Sequence, residues 1–132
     1  MGENLILDTT FLVDYERENA RGRPGRAQAF LEERETARLY ITFTVAGEMA
    51  VGASLSERHT WETFLAPFYI LPSSPDVSWE YARAFRHLEK NGQLIGANDL
   101  WIAATALAHD MPLVTANHKD FVRVPGLDVR QY

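Results

Sequence analysis

"GANDLWIAATALAHDMPLVTANHKDF", residues 96–121, decides the fold. An alanine-rich apolar run with one carboxylate, Asp99, at its front reads as a buried helix, and "PLVT" (112–115) behind it reads as a short buried strand. A helix that feeds a strand is half of a βαβ unit. The helix then runs antiparallel to its strand, so its N-terminus lies at the carboxyl edge of the sheet, where parallel sheets bind ligands. Asp99 stands at that edge. A helix N-terminus also welcomes an acidic side chain for structural reasons alone, since its first N–H groups are unpaired and the macrodipole is positive there. Asp99 is therefore either a structural charge at N1 behind an Asn98 cap, or a functional group.

Working outward, the chain alternates. "NLILD" (4–8) is a short apolar run of the kind that forms a buried parallel strand, and "TTFLVDYERE" (9–18) switches to helical spacing through Phe11, Leu12 and Tyr15. "RENARGRPGR" (17–26) interrupts, and "AQAFLEER" (27–34) resumes as a helix. "RLYIT" (38–42) is the next strand, followed by helices at "TVAGEMAVGAS" (44–54) and "RHTWETFLAPF" (58–68). "YIL" (69–71) is a brief third strand. In "SSPDVSWEYARAFRHLEKNG" (73–92), Ser74 caps, Pro75 fits the first turn, Val77, Tyr81, Phe85 and Leu88 share one face, and Asn91 and Gly92 end the helix. After the Asp99 helix and "PLVT" come an "NHKDF" turn and a last strand in "LDVRQY" (127–132). Alternating strands and helices predict an α/β fold with a parallel sheet covered on both faces.

Composition limits what such a chain does. At 132 residues and 46% hydrophobic content it is expected to form one domain, residues 1–132, with its own core. Cysteine is absent, which removes disulfides and thiolate metal sites. The start lacks the basic region and long apolar stretch of a signal peptide, and no apolar run approaches the ~20 residues of a membrane span. No membrane partner and a cytoplasmic location are the expectation. The net charge of −5 argues against a uniformly basic nucleic-acid coat, while leaving two local patches: Arg17, Arg21, Arg23 and Arg26, and Arg83, Arg86, His87 and Lys90. Taken alone, each is a solvated loop or helix face.

Three carboxylates fall where ligands bind. Asp8 closes the first strand, Asp99 opens the decisive helix, and Glu48 lies among Ala46, Gly47, Met49 and Ala50 in apolar surroundings. Each also has a structural reading: Asp8 as a helix cap, Asp99 as an N-terminal charge, Glu48 as a solvent-facing group. Together they repel, and desolvation adds to the repulsion, unless a cation neutralises them. An all-oxygen set suits Mg²⁺ or Mn²⁺, whereas the absence of Cys and the scatter of His59, His87, His109 and His118 speak against structural zinc.

"LILDTTFLVDY", "TVAGEMAVG", "LIGANDLWIAATALAHDMPLVTANHKDF" and "RVPGLDV" occur in the order and spacing of PIN-domain proteins, and the chain resembles the VapC toxins of bacterial type II toxin–antitoxin pairs. The likeness covers nearly the whole chain and is strongest over residues 94–129. It implies a PIN-like three-layer fold with a five-stranded, mostly parallel sheet flanked by helices. It also implies a metal-dependent endoribonuclease site built by Asp8, Glu48 and Asp99 as metal ligands and catalytic groups. The reaction it implies hydrolyses an RNA phosphodiester to a 5′ phosphate and a 3′ hydroxyl. Many PIN domains carry a further acid where this chain has Asn117, a candidate catalytic residue; either its amide oxygen serves, or Asp120 substitutes, or a second metal binds weakly. Thr9 and Thr115 offer hydroxyls to water or substrate, and Arg23 and Arg26 are candidates for the RNA backbone. A cognate VapB-like antitoxin and a homodimer are the implied partners, with Phe11, Leu12, Tyr15, Phe30 and Leu31 as candidates for the antitoxin groove.

Two other classes stand beside this one. A receiver-type phospho-acceptor needs an aspartate ending its third strand, and "YILPSS" has none. A non-catalytic PIN-like binding module, with the acids as structural caps, remains the alternative, and Mg²⁺ binding separates it from an enzyme.

Overall fold

Five short segments pair as parallel strands in the computed structural model, which describes residues 2–132. The strands are β1 (Asn4–Leu7), β2 (Arg38–Thr42), β3 (Tyr69–Leu71), β4 (Leu113–Val114) and β5 (Val129–Arg130), in the order β3-β2-β1-β4-β5. Every neighbouring pair is parallel. β1 is central, which is why Leu5, Ile6 and Leu7 are inaccessible to solvent and why its sequence shows no polar alternation. The fold is a three-layer α/β arrangement, with α1 (Thr9–Arg21), α2 (Arg26–Glu32), α3 (Phe43–Val51), α4 (Arg58–Leu65), α5 (Pro75–Lys90), α6 (Ala97–His109) and α7 (His118–Phe121) around the sheet.

Strand order explains where a site forms. The chain steps outward from β1 to β2 and β3, then crosses back through α5 and α6 to place β4 on the other side of β1. The connections after β1 and β4 therefore diverge, opening a crevice at their carboxyl ends. Asp8 and Thr115 sit there. α6 is the main filler of the core beside it. Leu100, Ile102, Ala103, Ala104 and Ala106 are all at most 1% exposed, and their mostly small side chains let the helix lie close against its neighbours.

Several boundaries differ from the sequence reading. α1 continues to Arg21, so the arginine-rich stretch breaks only at Gly22, which takes φ 67° as the C-cap, a left-handed conformation suited to glycine. "NHKDF" contains the short helix α7 rather than a turn alone. α3 ends at Val51, and a 3₁₀ turn over Ala53–Leu55 takes up the remainder of the run. In α5, Ser74 accepts from the Val77 N–H at 3.2 Å, as its position before Pro75 predicts. Val77 and Leu88 are inaccessible and Tyr81 and Phe85 half-buried along the expected face. No helix among the described residues is long and apolar enough to cross a membrane.

Candidate active site

Asp8 follows β1 directly and is 1% exposed. As the N-cap of α1 its Oδ1 accepts the Phe11 N–H at 3.0 Å and the Thr10 hydroxyl at 2.7 Å, while Oδ2 accepts the Thr115 hydroxyl at 2.5 Å. Thr10 also accepts the Ala116 N–H at 3.0 Å, and Thr115 the Asn117 N–H at 2.8 Å. These bonds tie the start of α1 to the loop after β4 across the crevice. Asp8 is thus a cap, and one lone pair of Oδ2 is left for a further partner.

Glu48 projects from α3, half-buried, and its Oε1 accepts the Thr9 hydroxyl at 3.1 Å. Asp99 is the third residue of α6, not the first: the N-cap is Gly96, not Asn98, because the helix starts two residues earlier than the sequence reading had it. Asn117 donates from Nδ2 to Asp120 at 3.1 Å and lies close enough to Asp99 to oppose the rise of its pKa. Asp120, on α7, also acts on Asp99, so carboxylates from four separate elements influence one another around the crevice.

Electrostatics reflect that crowding. Burial pushes the Asp8 carboxyl above its usual range and the Glu48 charge adds to it, against the lowering effect of Thr10, Thr115 and the Phe11 N–H. Burial does the same to Glu48, with Asp99 adding and Thr9 opposing. Asp99 is raised by burial, then by Asp8 and Asp120, with Asn117 opposing. Such a cluster favours a proton or a cation. Among the described residues, no three His, Cys, Asp or Glu side chains are grouped so as to hold a metal ion together. The donor set, carboxylates and hydroxyls without sulfur, fits an ion gripped by one or two carboxylates that keeps several waters, as Mg²⁺ commonly does.

A pH dependence follows with a defined sign. The three raised carboxyls hold protons to higher pH folded than unfolded, so the stability they contribute falls as pH rises from the ordinary 3.8 (Asp) and 4.5 (Glu) through the raised values. Urea melts in EDTA of wild type and a Glu48→Gln/Asp99→Asn variant, over about pH 4 to 7, are expected to show wild type losing ground to the variant. A wild type that gains on the variant across that interval would refute the crowded site.

Other sequence-derived residues lie elsewhere. Arg23 and Arg26 sit on and after the α1–α2 connection, at the opposite end of α1 from Asp8, and Arg26 pairs with Asp14 at 3.4 Å. Phe11, Leu12 and Phe30 are core, 0%, 0% and 7% exposed, so they do not line an open groove. Tyr15 and Leu31 do reach a surface cleft of about 270 Å³ with Asn19, Gln28 and Glu32. His59, His87 and His109 are exposed, and His118 is half-buried at the start of α7. Clefts of about 380 Å³ at Trp61 and about 310 Å³ at Arg83 lack the converging acids; a polymeric substrate needs an open edge rather than an enclosed cavity. Thr10 went unread in the sequence, although its place two residues after a strand-ending aspartate was the available signal.

A family model for the PIN domain matches residues 5–127. The "Ribonuclease VapC" of Rickettsia bellii is 31% identical over 95% of this chain and 93% of its own length, and "Ribonuclease VapC1" of Rickettsia felis is 32% identical over the same shares. Among solved structures, a chain of VapBC2 from Rickettsia felis, bound to a DNA fragment from their promoter, superposes with TM-score 0.80 at 25% identity over 98% of each chain. A chain of the DNA-bound VapBC from Salmonella typhimurium shares the fold at TM-score 0.84 and 20% identity, over 99% of this chain and 98% of that one. This chain belongs to the PIN-domain family and, within it, to the VapC-type toxins.

Proposed function

We propose that the protein is a toxic endoribonuclease that hydrolyses RNA phosphodiesters with Mg²⁺ or Mn²⁺ and is neutralised by a VapB-like antitoxin. The observation that carries the reading is the convergence of Asp8, Glu48 and Asp99 from three elements at the β1/β4 crevice, each with its pKa pushed upward. Relatives named as ribonucleases add support. In this reading Asp8 and Asp99 would hold the ion, and Glu48 would orient the attacking water or a second ion. When bound, the ion supplies charge neutralisation at the phosphate and lowers the pKa of water. Thr10 and Thr115 hold Asp8 in one rotamer, and Thr9 does the same for Glu48. Asn117, bonded to Asp120, orients that carboxylate beside the Asp99 helix.

The antitoxin belongs to the same reading, because a free ribonuclease harms its host and a similar structure is a toxin–antitoxin complex from Klebsiella pneumoniae. Tyr15 and Leu31 are the groove residues accessible to it, and a homodimer is the expected assembly. A second reading, a PIN-like binding module, draws on Asp8, whose oxygens already accept three hydrogen bonds. Incubating purified protein with RNA in Mg²⁺ and in EDTA decides between them. Metal-dependent cuts bearing 5′ phosphates, suppressed by the co-encoded small protein, are expected; intact RNA and no Mg²⁺ binding would leave the binding module.

A further inference from the structure

One face of α1 leads away from the acids toward a cluster of arginines. Thr10, Asp14, Arg17 and Arg21 recur four, three and four residues apart, so they share that face. It begins at Thr10, which donates to Asp8, and ends about 17 Å farther along at Arg21. There Asp14, Arg17, Glu18, Arg21 and Arg26 line a cleft of about 240 Å³.

Charge in this cleft is unbalanced in favour of the cations. Asp14 is committed to Arg26 and to the Tyr132 hydroxyl, at 3.4 and 2.7 Å. Glu18 is committed to the backbone N–H groups of Gly25, Ala27 and Gln28. Among the described residues Arg17 and Arg21 enter no salt bridge, and with Arg26 they are exposed. The Tyr132 ring lies 5.2 Å from the Arg26 guanidinium and restrains it. In a chain of net charge −5, three guanidiniums against two carboxylates leave this depression net positive, with Arg17 the cation least engaged.

We infer that this cleft binds the phosphodiester backbone of the RNA, a second contact separate from the acidic crevice. The inference rests on the ribonuclease reading. Carboxylates at the crevice repel phosphate, so attraction must come from elsewhere on the path of the strand. Guanidinium forks match phosphate oxygens in pairs and carry no base preference, so the cleft holds and orients RNA without choosing its sequence.

The test uses a fluorescent single-stranded oligoribonucleotide, with binding followed by anisotropy in EDTA across a salt series. Wild type is compared with Arg17→Gln/Arg21→Gln and, as a control, with Arg58→Gln on α4. The double variant is expected to bind about tenfold more weakly at physiological salt, with a log–log salt slope shallower by about 1.4, two contacts at about 0.7 each. The control's melting temperature should match wild type, and that of the double variant should fall by no more than a few degrees, because Arg21 lies beside the Glu18 carboxylate. In Mg²⁺ the double variant should raise KM and keep kcat. Unchanged affinity and slope in the double variant would overturn the inference, as would lost affinity for the co-encoded small protein with RNA binding intact. RNA left uncut by wild type in Mg²⁺ would instead sink the ribonuclease reading, while arginine-dependent binding in EDTA would still support the cleft.

Discussion

Asp99→Asn is expected to reduce RNA cleavage by about three orders of magnitude or more, on the scale of losing a principal electrostatic stabiliser, or about 4 kcal/mol of barrier. The fold should persist, because Asp99 is half-buried and the helix it stands on is anchored by its buried apolar face. Two effects on the apo protein oppose each other. Removing a negative charge near a helix N-terminus costs about 0.3–1 kcal/mol. Removing it from beside Asp8 and Asp120 relieves repulsion and the cost of burying a charge, which together raise its pKa. Since Gly96 rather than Asp99 occupies the cap position, the second effect should win, and the apo variant should be at least as stable as wild type. Mg²⁺ then separates the proteins further: wild type gains about 2.7 kcal/mol at a concentration near 100 times Kd, and the variant loses most of that gain. Thermal melts with EDTA and with excess Mg²⁺, alongside cleavage assays, check all three. An apo variant less stable than wild type, with cleavage and the Mg²⁺ shift intact, would make Asp99 a structural charge.

The decisive stretch was legible because its parts agree. A continuous apolar helix followed at once by an apolar strand has few solutions other than a βαβ unit, and the carboxyl edge then follows from geometry. Asp8, Glu48 and Asp99 could be named in the sequence because acids in apolar surroundings are costly and so conspicuous; their roles are what the cleavage and metal experiments decide. Exact helix starts were not legible, since Gly96, Ala97 and Asn98 all tolerate a first turn. The arginine-rich stretch misled for a different reason. Gly22, Pro24 and Gly25 cluster like a loop, yet α1 runs through Arg21 and so carries Arg17 and Arg21 on one helical face. Nor could spacing tell the core aromatics Phe11 and Phe30 from groove residues. Their rings pack edge to face against each other at 5.8 Å and against Tyr132 at 4.7 and 6.5 Å, contacts made by a residue a hundred positions away.

Glu18 was the least legible residue of consequence, and Glu18→Ala should be the most destabilising single change at a polar position outside the acid site. In the sequence it is one more charge in "YERENARGR". In the fold it is 3% exposed and reaches from α1 to the start of α2, where Oε1 accepts the Gly25 and Gln28 N–H groups at 2.8 and 2.9 Å and Oε2 accepts Ala27 at 3.0 Å. A Cβ on Gly25 would fall 2.9 Å from both the Glu18 carboxylate and the Arg21 guanidinium, so a larger residue there would push one of those side chains aside. Alanine removes a charged cap and leaves three donors to find water, for a net cost of about 3 kcal/mol, or about 10 °C in Tm for a chain of this size. Its pH dependence should have the opposite sign to that of the acid site. Burial raises the Glu18 carboxyl, but the bonds from Gln28, Gly25 and Ala27, with Arg21 nearby, outweigh it and hold the pKa below 4.5. The stability Glu18 contributes is therefore full above that value and lost as pH falls through the lowered one. The gap between wild type and Glu18→Ala should narrow in acid, and hydrogen exchange should speed up first at the Gly25, Ala27 and Gln28 amides. Equal melting temperatures at neutral pH would show that the clamp is replaced by water at no cost, and the α1–α2 junction would then owe its geometry to Phe11, Phe30 and Tyr132 instead.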